Sequence, residues 1–290
     1  MELRVSLDGL VGRFLPDPST FLERLIPWSG LIVGEAALSH ILREPSICST
    51  SLEIAIGNVY FKPFLESLSR LLPFGDILDT CVVKPSPDGY PFHRHITRIA
   101  EYRLMSGMFI IVYQSCTPSA CDVVSGYWTT ALMNFVTARS LGCAYPRLTL
   151  HRRALFCNTR SSSMDWADHA MARTLARLGF VTGDRAHDWL LRACQNTGSP
   201  QPTIKSCGRS LYVCPHQGRF FGDRGSLVVF HDGFAVDFKE MRALSVAPYG
   251  PMVAWRLPSS GCCEGSCMKQ NRVLPSYVIS MLMIFVGNFV

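Results

Sequence analysis

Between Pro18 and Leu72 the apolar positions switch repeatedly between a helical period and short continuous runs. Pro18 to Ile26 has helical spacing, with Ser19 placed as its N-cap. Gly30 to Val33 is a short apolar run of the kind a buried strand makes, and Gly34 ends it. Glu35 to Leu42 returns to helical spacing through Leu38, Ile41 and Leu42, and Leu52 to Ile56 is a second strand leading into Gly57. From Val59 to Leu72, Phe61, Phe64, Leu65, Leu68 and Leu72 mark one helix face, and Pro63 is tolerated because it falls in the first turn.

Farther on, the pattern predicts strands at Ile96 to Leu104 and Met108 to Gln114, joined by a tight Ser106-Gly107 turn. Helices are predicted at Tyr127 to Ala138, at Met164 to Leu178 with Gly179 as its stop, and at Asp184 to Cys194. Asn196 to Pro202 is rich in helix and strand breakers and marks a soft boundary. Beyond it, Leu227 to His231 and Phe234 to Phe238 flank Asp232-Gly233, a hairpin signal. Strands and helices alternate rather than segregate, which predicts an α/β fold, an α+β mixed sheet with helices upon it, and excludes a helical bundle. The division expected is a core over 1–195, a β-rich extension over 203–272 and an apolar tail over 273–290.

Composition narrows this picture. The chain has 290 residues, 48% hydrophobic and 17% charged, so it is long enough for a substantial core and too apolar to be disordered. A net charge of +6, from 28 basic and 22 acidic side chains, tolerates a polyanionic partner without requiring one. The opening MELRVSLDGL has acids at Glu2 and Asp8 and no apolar run behind a basic one, unlike a secretory signal. Twelve cysteines scattered over a chain of this length are read as free intracellular thiols, and the location expected is the cytoplasm.

The most informative stretch is LIVGEAALSHIL followed by SLEIAIG. A strand ends at a glycine, a helix begins at once, and the next strand carries an acid. Nucleotidyltransferases use this layout, with a Gly-Ser turn at a helix start and then a strand bearing D-x-D. Backbone N–H groups at the helix start hold phosphate, and two carboxylates two residues apart share one strand face and divalent metal ions. The segments GRFLPDPSTFLERLIPWSGLIVGEAAL, STSLEIAIG and TTALMNFVTARSLGCAYPRLT extend the likeness. In this order they resemble a large, functionally uncharacterised family of basidiomycete fungal proteins with a nucleotidyltransferase-like core. Ile32 to Leu38, Thr50 to Ile56, Leu132 to Phe135, Tyr145-Pro146 and Gly183-Asp184-Arg185 with Trp189 match its motifs.

The resemblance places nucleotide-binding positions at Gly34, Glu35, Ser51 and Glu53, and the departures fall on those positions. Glu35 replaces the phosphate-binding serine, and its carboxylate repels a triphosphate at the helix end meant to receive it. Ser51 replaces the first aspartate and Glu53 the second, and Phe109 to Gln114 offers no third acid. The expectation is therefore a non-catalytic module with no cofactor, in which Glu53 is a solvated strand residue. The alternative is a divergent Mg²⁺-dependent nucleotidyltransferase acting through Glu53 with a further acid: Glu35, Asp76 or Asp79. The partner is left open between a nucleotide and a protein.

Four further patterns bear on chemistry or location. Cys207, Cys214 and His216, with Cys262, Cys263 and Cys267, have loose zinc-like spacing, but no C-x-x-C pair occurs among them and free thiols are expected. His93 and His95 share a face of an extended run and are expected to be surface residues. From Val123 to Met164 there is no acid, while Arg139, Arg147, Arg152, Arg153 and Arg160 fall inside it. Arg147, Arg152 and Arg153 are the candidates for a phosphate or nucleic-acid surface, against the expectation that they are dispersed or paired. Finally, Val273 to Val290 carries no charge and falls just short of the ~20 residues that cross a bilayer, with Lys269 and Arg272 before it. It is open between a membrane tail anchor, a buried element of the fold and a non-native end; the expectation is a soluble protein.

Overall fold

The computed structural model describes residues 2–47, 50–72, 77–83, 95–157, 166–183, 212–214, 217–231 and 254–255. The first two helices are α1 (Glu2–Val11) and α2 (Pro18–Leu25). The sequence reading left α1 unassigned; its Leu7, Leu10 and Val11 are buried. The cap of α2 is Asp17, not Ser19. Its carboxylate accepts the Thr20 N–H at 3.0 Å, and Pro18 at the first position needs no acceptor for an N–H it lacks. The bonds from Thr20 hold the Asp17 carboxyl below the usual range.

Next come β1 (Leu31–Val33), α3 (Gly34–Leu42) and β2 (Ser51–Ile56), then α4 (Phe61–Leu71). These match the predicted elements within two residues. The strands β3 (Ile77–Val83), β4 (Ile96–Leu104) and β5 (Phe109–Ser115) follow, with Gly107 at φ +80° in the β4–β5 turn as expected. Strand β3 was not predicted: it lies at the sheet's edge, and its exposed Asp79, Cys81 and Val82 blur the alternation that marks a half-buried strand.

The helix expected at Tyr127 to Ala138 does not form. After the short helix α5 (Cys121–Ser125), that stretch makes turns and then β6 (Asn134–Val136), which pairs with β7 (Ser140–Cys143). Every residue from Tyr127 to Ala138 is buried. A run enclosed on all sides has no polar face, so its apolar spacing cannot distinguish a helix from a buried strand. Thr130 settles the matter locally, because its hydroxyl accepts the Leu155 N–H at 2.9 Å and its own N–H goes to the Leu155 carbonyl.

The chain continues through α6 (Pro146–Thr149), β8 (Arg153–Leu155), α7 (Trp166–Arg177), β9 (Val181–Gly183), β10 (Arg219–Phe220), β11 (Leu227–Phe230) and β12 (Ala254–Trp255). Gly179, at φ +75°, follows α7 as predicted. The main sheet is mixed, with eight strands in the order β11-β7-β6-β1-β2-β5-β4-β3, and β2 and β5 are its parallel pair. One face carries Leu52, Ile54, Ile56, Ile110 and Val112 against α1, α2 and α4. The other carries Leu31, Val33, Ala55 and Tyr113 against Tyr127, Trp128, Leu132, Leu148, Leu155 and Leu175. The fold is therefore a mixed α/β sheet covered on both faces.

A buried arginine ties the later segments to this core. Arg219 is fully enclosed: its Nε and Nη2 reach the Asp223 carboxylate at 2.5 and 3.0 Å. Nη1 donates to the Tyr212 carbonyl and Nη2 to that of Ala144, at 2.6 and 2.8 Å. The guanidinium lies 4.7, 5.3 and 5.7 Å from the rings of Tyr145, Tyr212 and Trp255.

Strand β11 forms where Leu227 to His231 was predicted, but its partner is β7. The hairpin expected through Asp232-Gly233 to Phe234–Phe238 lies outside the described residues, as do the expected helix at Asp184 to Cys194, the linker at Asn196 to Pro202 and the tail from Val273 to Val290. Among the described residues no helix is long and apolar enough to cross a membrane.

Candidate functional site

The turn from β1 into α3 is built for one residue. Gly34 has φ +66°, which costs a side-chain-bearing residue about 1–2 kcal/mol. It is also pressed by a neighbour: a β-carbon there would lie 2.5 Å from Glu53 Oε1 and 2.7 Å from Oε2. Antiparallel pairing of β1 with β2 sets this contact, since Val33 stands opposite Glu53. The carboxyl lying against the start of α3 is thus the protein's own.

Two phenols close the other side. Tyr113 OH donates to Glu53 Oε2 at 3.1 Å and Tyr127 OH donates to the same oxygen at 2.9 Å. Tyr113 arrives from β5, whose parallel register puts Ile111 beside Glu53 and Tyr113 beside Ala55 on the same sheet face. Tyr127 arrives from the turn after α5. Glu53, expected to be a solvated strand residue, is half-buried and accepts both of these bonds. Its carboxyl is pushed above the usual range by burial, an effect opposed by the bonds from Tyr127 and Tyr113. Tyr127 is pushed well above the usual phenol value by burial and by the charges of Glu53, Tyr113 and Glu35, so it remains a donor at neutral pH.

The other predicted positions distribute as follows. Glu35 is buried in the first turn of α3, and its charge acts on Tyr127. Ser51 is half-buried two residues before Glu53 and brings a hydroxyl, not a carboxylate. Asp79 is exposed on β3, three strands from β2, or about 14 Å at the usual strand spacing, and does not approach Glu53. Asp76 lies outside the described residues. Among the described residues no group of three His, Cys, Asp or Glu side chains is arranged to hold a metal ion.

Of the zinc candidates, Cys214 is buried and in no disulfide, while Cys207, His216, Cys262, Cys263 and Cys267 lie outside the described residues. Arg152 is not available to a phosphate: it pairs with Glu44, donates to the Leu178 carbonyl at 2.9 Å and stacks over Phe180 at 5.6 Å. Arg147 and Arg139 are exposed and Arg153 is half-buried at the start of β8. His95 does have an acid beside it. Its Nδ1 lies 3.0 Å from Asp122 Oδ1, and the Cys116 thiol donates to Oδ2 at 2.8 Å. Burial, and then the bond to Asp122 and its charge, push the Cys116 thiol up to about 12, so it is a poor nucleophile. His93 lies outside the described residues.

Sequence reasoning missed both tyrosines. Tyr113 could have been found, because a polar-tipped aromatic two positions beyond Ile111 shares the Glu53 face once β2 and β5 are paired. Tyr127 carried no such signal, because it reaches the site through a turn in a stretch read as a helix.

No protein-family model matches the chain, and no curated protein matches it. Among solved structures it is similar to a CCA-adding enzyme in complex with CTP, at 16% identity over 66% of this chain and 46% of that one, with a TM-score of 0.41. It is also similar to the Thermotoga maritima CCA-adding enzyme complexed with tRNA, at 17% identity over 66% and 45%, with a TM-score of 0.38. The chain spans about half the length of these enzymes. Likeness at that level decides nothing about chemistry, which is read from the site itself.

Proposed function

We propose that this chain is a nucleotidyltransferase-like module that does not transfer nucleotides and serves as a binding or structural unit. The observation that carries this reading is the occupancy of Glu53 Oε2 by the hydroxyls of Tyr113 and Tyr127, with Gly34 against the rest of the carboxylate. A divalent ion that takes Glu53 Oε2 must displace both phenols, and Ser51 and Ile111 supply no carboxylate to compensate. A triphosphate at the start of α3 meets Glu53 already seated there and the buried Glu35 beside it.

The second reading is a divergent Mg²⁺-dependent nucleotidyltransferase using Glu53. One observation favours it: Glu35 acts on the same Tyr127 that Glu53 binds, so the enclosure draws on two carboxylates. Thermal unfolding with Mg²⁺ and each nucleoside triphosphate separates the two. The first reading expects an unchanged midpoint. Stabilisation that requires Mg²⁺ and disappears in Glu53→Ala establishes the second, and is worth about 2.7 kcal/mol when ligand is a hundredfold above its dissociation constant.

Membership in the basidiomycete family belongs to this proposal and rests on the ordered segments between Gly12 and Trp189. So do a cytoplasmic location, the division into 1–195, 203–272 and 273–290, and the tail as the part that decides between soluble and membrane-attached forms. Arg147 and Arg153 remain the basic positions for a polyanion. If they hold one, its binding weakens steeply with salt, and Arg147→Ala reduces that salt dependence. Salt-independent binding leaves them a structural role only.

A further inference from the structure

His40 is 2% exposed on α3, and neither of its ring nitrogens has a hydrogen-bond partner among the described residues. Unsatisfied buried nitrogens are uncommon enough to require a reason. The ring of His231 stands edge-on to it, with centroids 6.0 Å apart and planes at 90°. His231 follows β11 and is tied to the β6–β7 turn. Its backbone N–H donates to the Arg139 carbonyl at 2.8 Å, and its Nε2 donates to the Thr137 carbonyl at 2.9 Å.

We propose that buried His40 and half-buried His231 form an acid-sensitive latch that holds β11, the outermost described strand, to the sheet and releases it on protonation. An imidazolium at His40 is enclosed without an acceptor, and the charges acting on it, His231 and Arg43, both repel it. The strands β1 and β6 and the turn Pro45–Ile47, all packed on α3, contain no ionisable residue. Glu53 of β2 is tied to tyrosines at the opposite end of α3, and Glu44 is taken by Arg152. Helix α1 carries Glu2, Arg4 and Asp8, and the charges shifting His40 are His231 and Arg43.

The two rings can separate only if one element moves. Helix α3 is buried continuously from Gly34 to His40 and is fixed between β1, β2 and β6. Strand β11 is four residues long, pairs with β7 on one side, and fully buries only Val228. Immediately before it, Asp223 accepts the N–H groups of Gly225 and Ser226 and the Arg219 guanidinium. That clasp anchors the chain before β11, so among the described residues release falls on Leu227–His231.

Burial first, and then His231 and Arg43, lower the His40 pKa from 6.5 to about 4. The closed state therefore loses nothing above about pH 6.5 and is progressively disfavoured as pH falls from there toward 4. If the opened strand leaves His40 with its ordinary pKa, the opening equilibrium rises about twentyfold from pH 7 to pH 5.

The test is amide hydrogen exchange read by mass spectrometry on the full chain at pH 7 and pH 5, corrected for intrinsic exchange rates. The latch predicts a loss of protection of about twentyfold in peptides covering 227–231 and 140–143, with 31–33 and 51–56 unchanged. His40→Phe and His40→Leu, which cannot be protonated, should abolish the pH response. Unchanged protection in the wild-type chain overturns the proposal, and so does loss spread evenly over the sheet. A response that persists in a folded His40 variant overturns it as well. The wild-type measurement decides the case even if neither variant folds.

Discussion

Replacing Arg219 with leucine should lower the unfolding free energy by about 3–5 kcal/mol, much of a typical domain's margin of 5–15. The loss is large because of what stays behind. Asp223, whose side chain is 9% exposed, keeps its charge and loses the guanidinium, while the carbonyls of Tyr212 and Ala144 lose a donor each. The rings of Tyr145, Tyr212 and Trp255 then face a gap shaped for a flat cation. Arg219→Lys should recover little, because an ammonium cannot make the paired Nε and Nη2 bonds to Asp223 or lie flat against three rings. Urea unfolding measures the effect. A lysine variant within about 1 kcal/mol of wild type would show that charge alone, not the planar fork, holds the segment.

Gly34→Ala should cost about 2–5 kcal/mol, combining the left-handed backbone with a methyl group driven against Glu53. The two parts can be separated. In a Glu53→Ala background the methyl group has room and only the backbone term is left, so the same substitution should cost about 1–3 kcal/mol less. A double-mutant cycle measures that coupling directly. Additive costs would mean that the carboxylate does not rest on Gly34, and the central observation behind the non-catalytic reading would fall with it.

How much of this was legible beforehand differs from element to element. The strand, glycine, helix and strand from Leu31 to Ile56 were readable because each has a strong local signal and Gly34 punctuates them. That Ser51 and the stretch from Phe109 to Gln114 bring no carboxylate was readable too, since that is a fact of composition. The environment of Glu53 was not. Nothing in SLEIAIG distinguishes a solvated acid from one capped by two phenols sixty and seventy-four positions away. The same limit applies to Arg152: dispersal or pairing was expected of it, but its partner, Glu44, lies 108 positions earlier and no local pattern names it.

By itself, then, the sequence determined the mixed α/β class, the β1–α3–β2 unit and the absence of the paired aspartates. These follow from periodicity, glycine's access to positive φ and residue identity, which act over a few neighbouring positions. Only the tertiary structure decided that Tyr127 to Ala138 forms turns and a strand, that Glu53 accepts hydrogen bonds from Tyr113 and Tyr127, that Arg219 sits in an aromatic cage and that His40 meets His231. Each of those depends on a partner distant in the chain. Burial and hydrogen bonding act on whatever the fold brings together, and local pattern does not encode it.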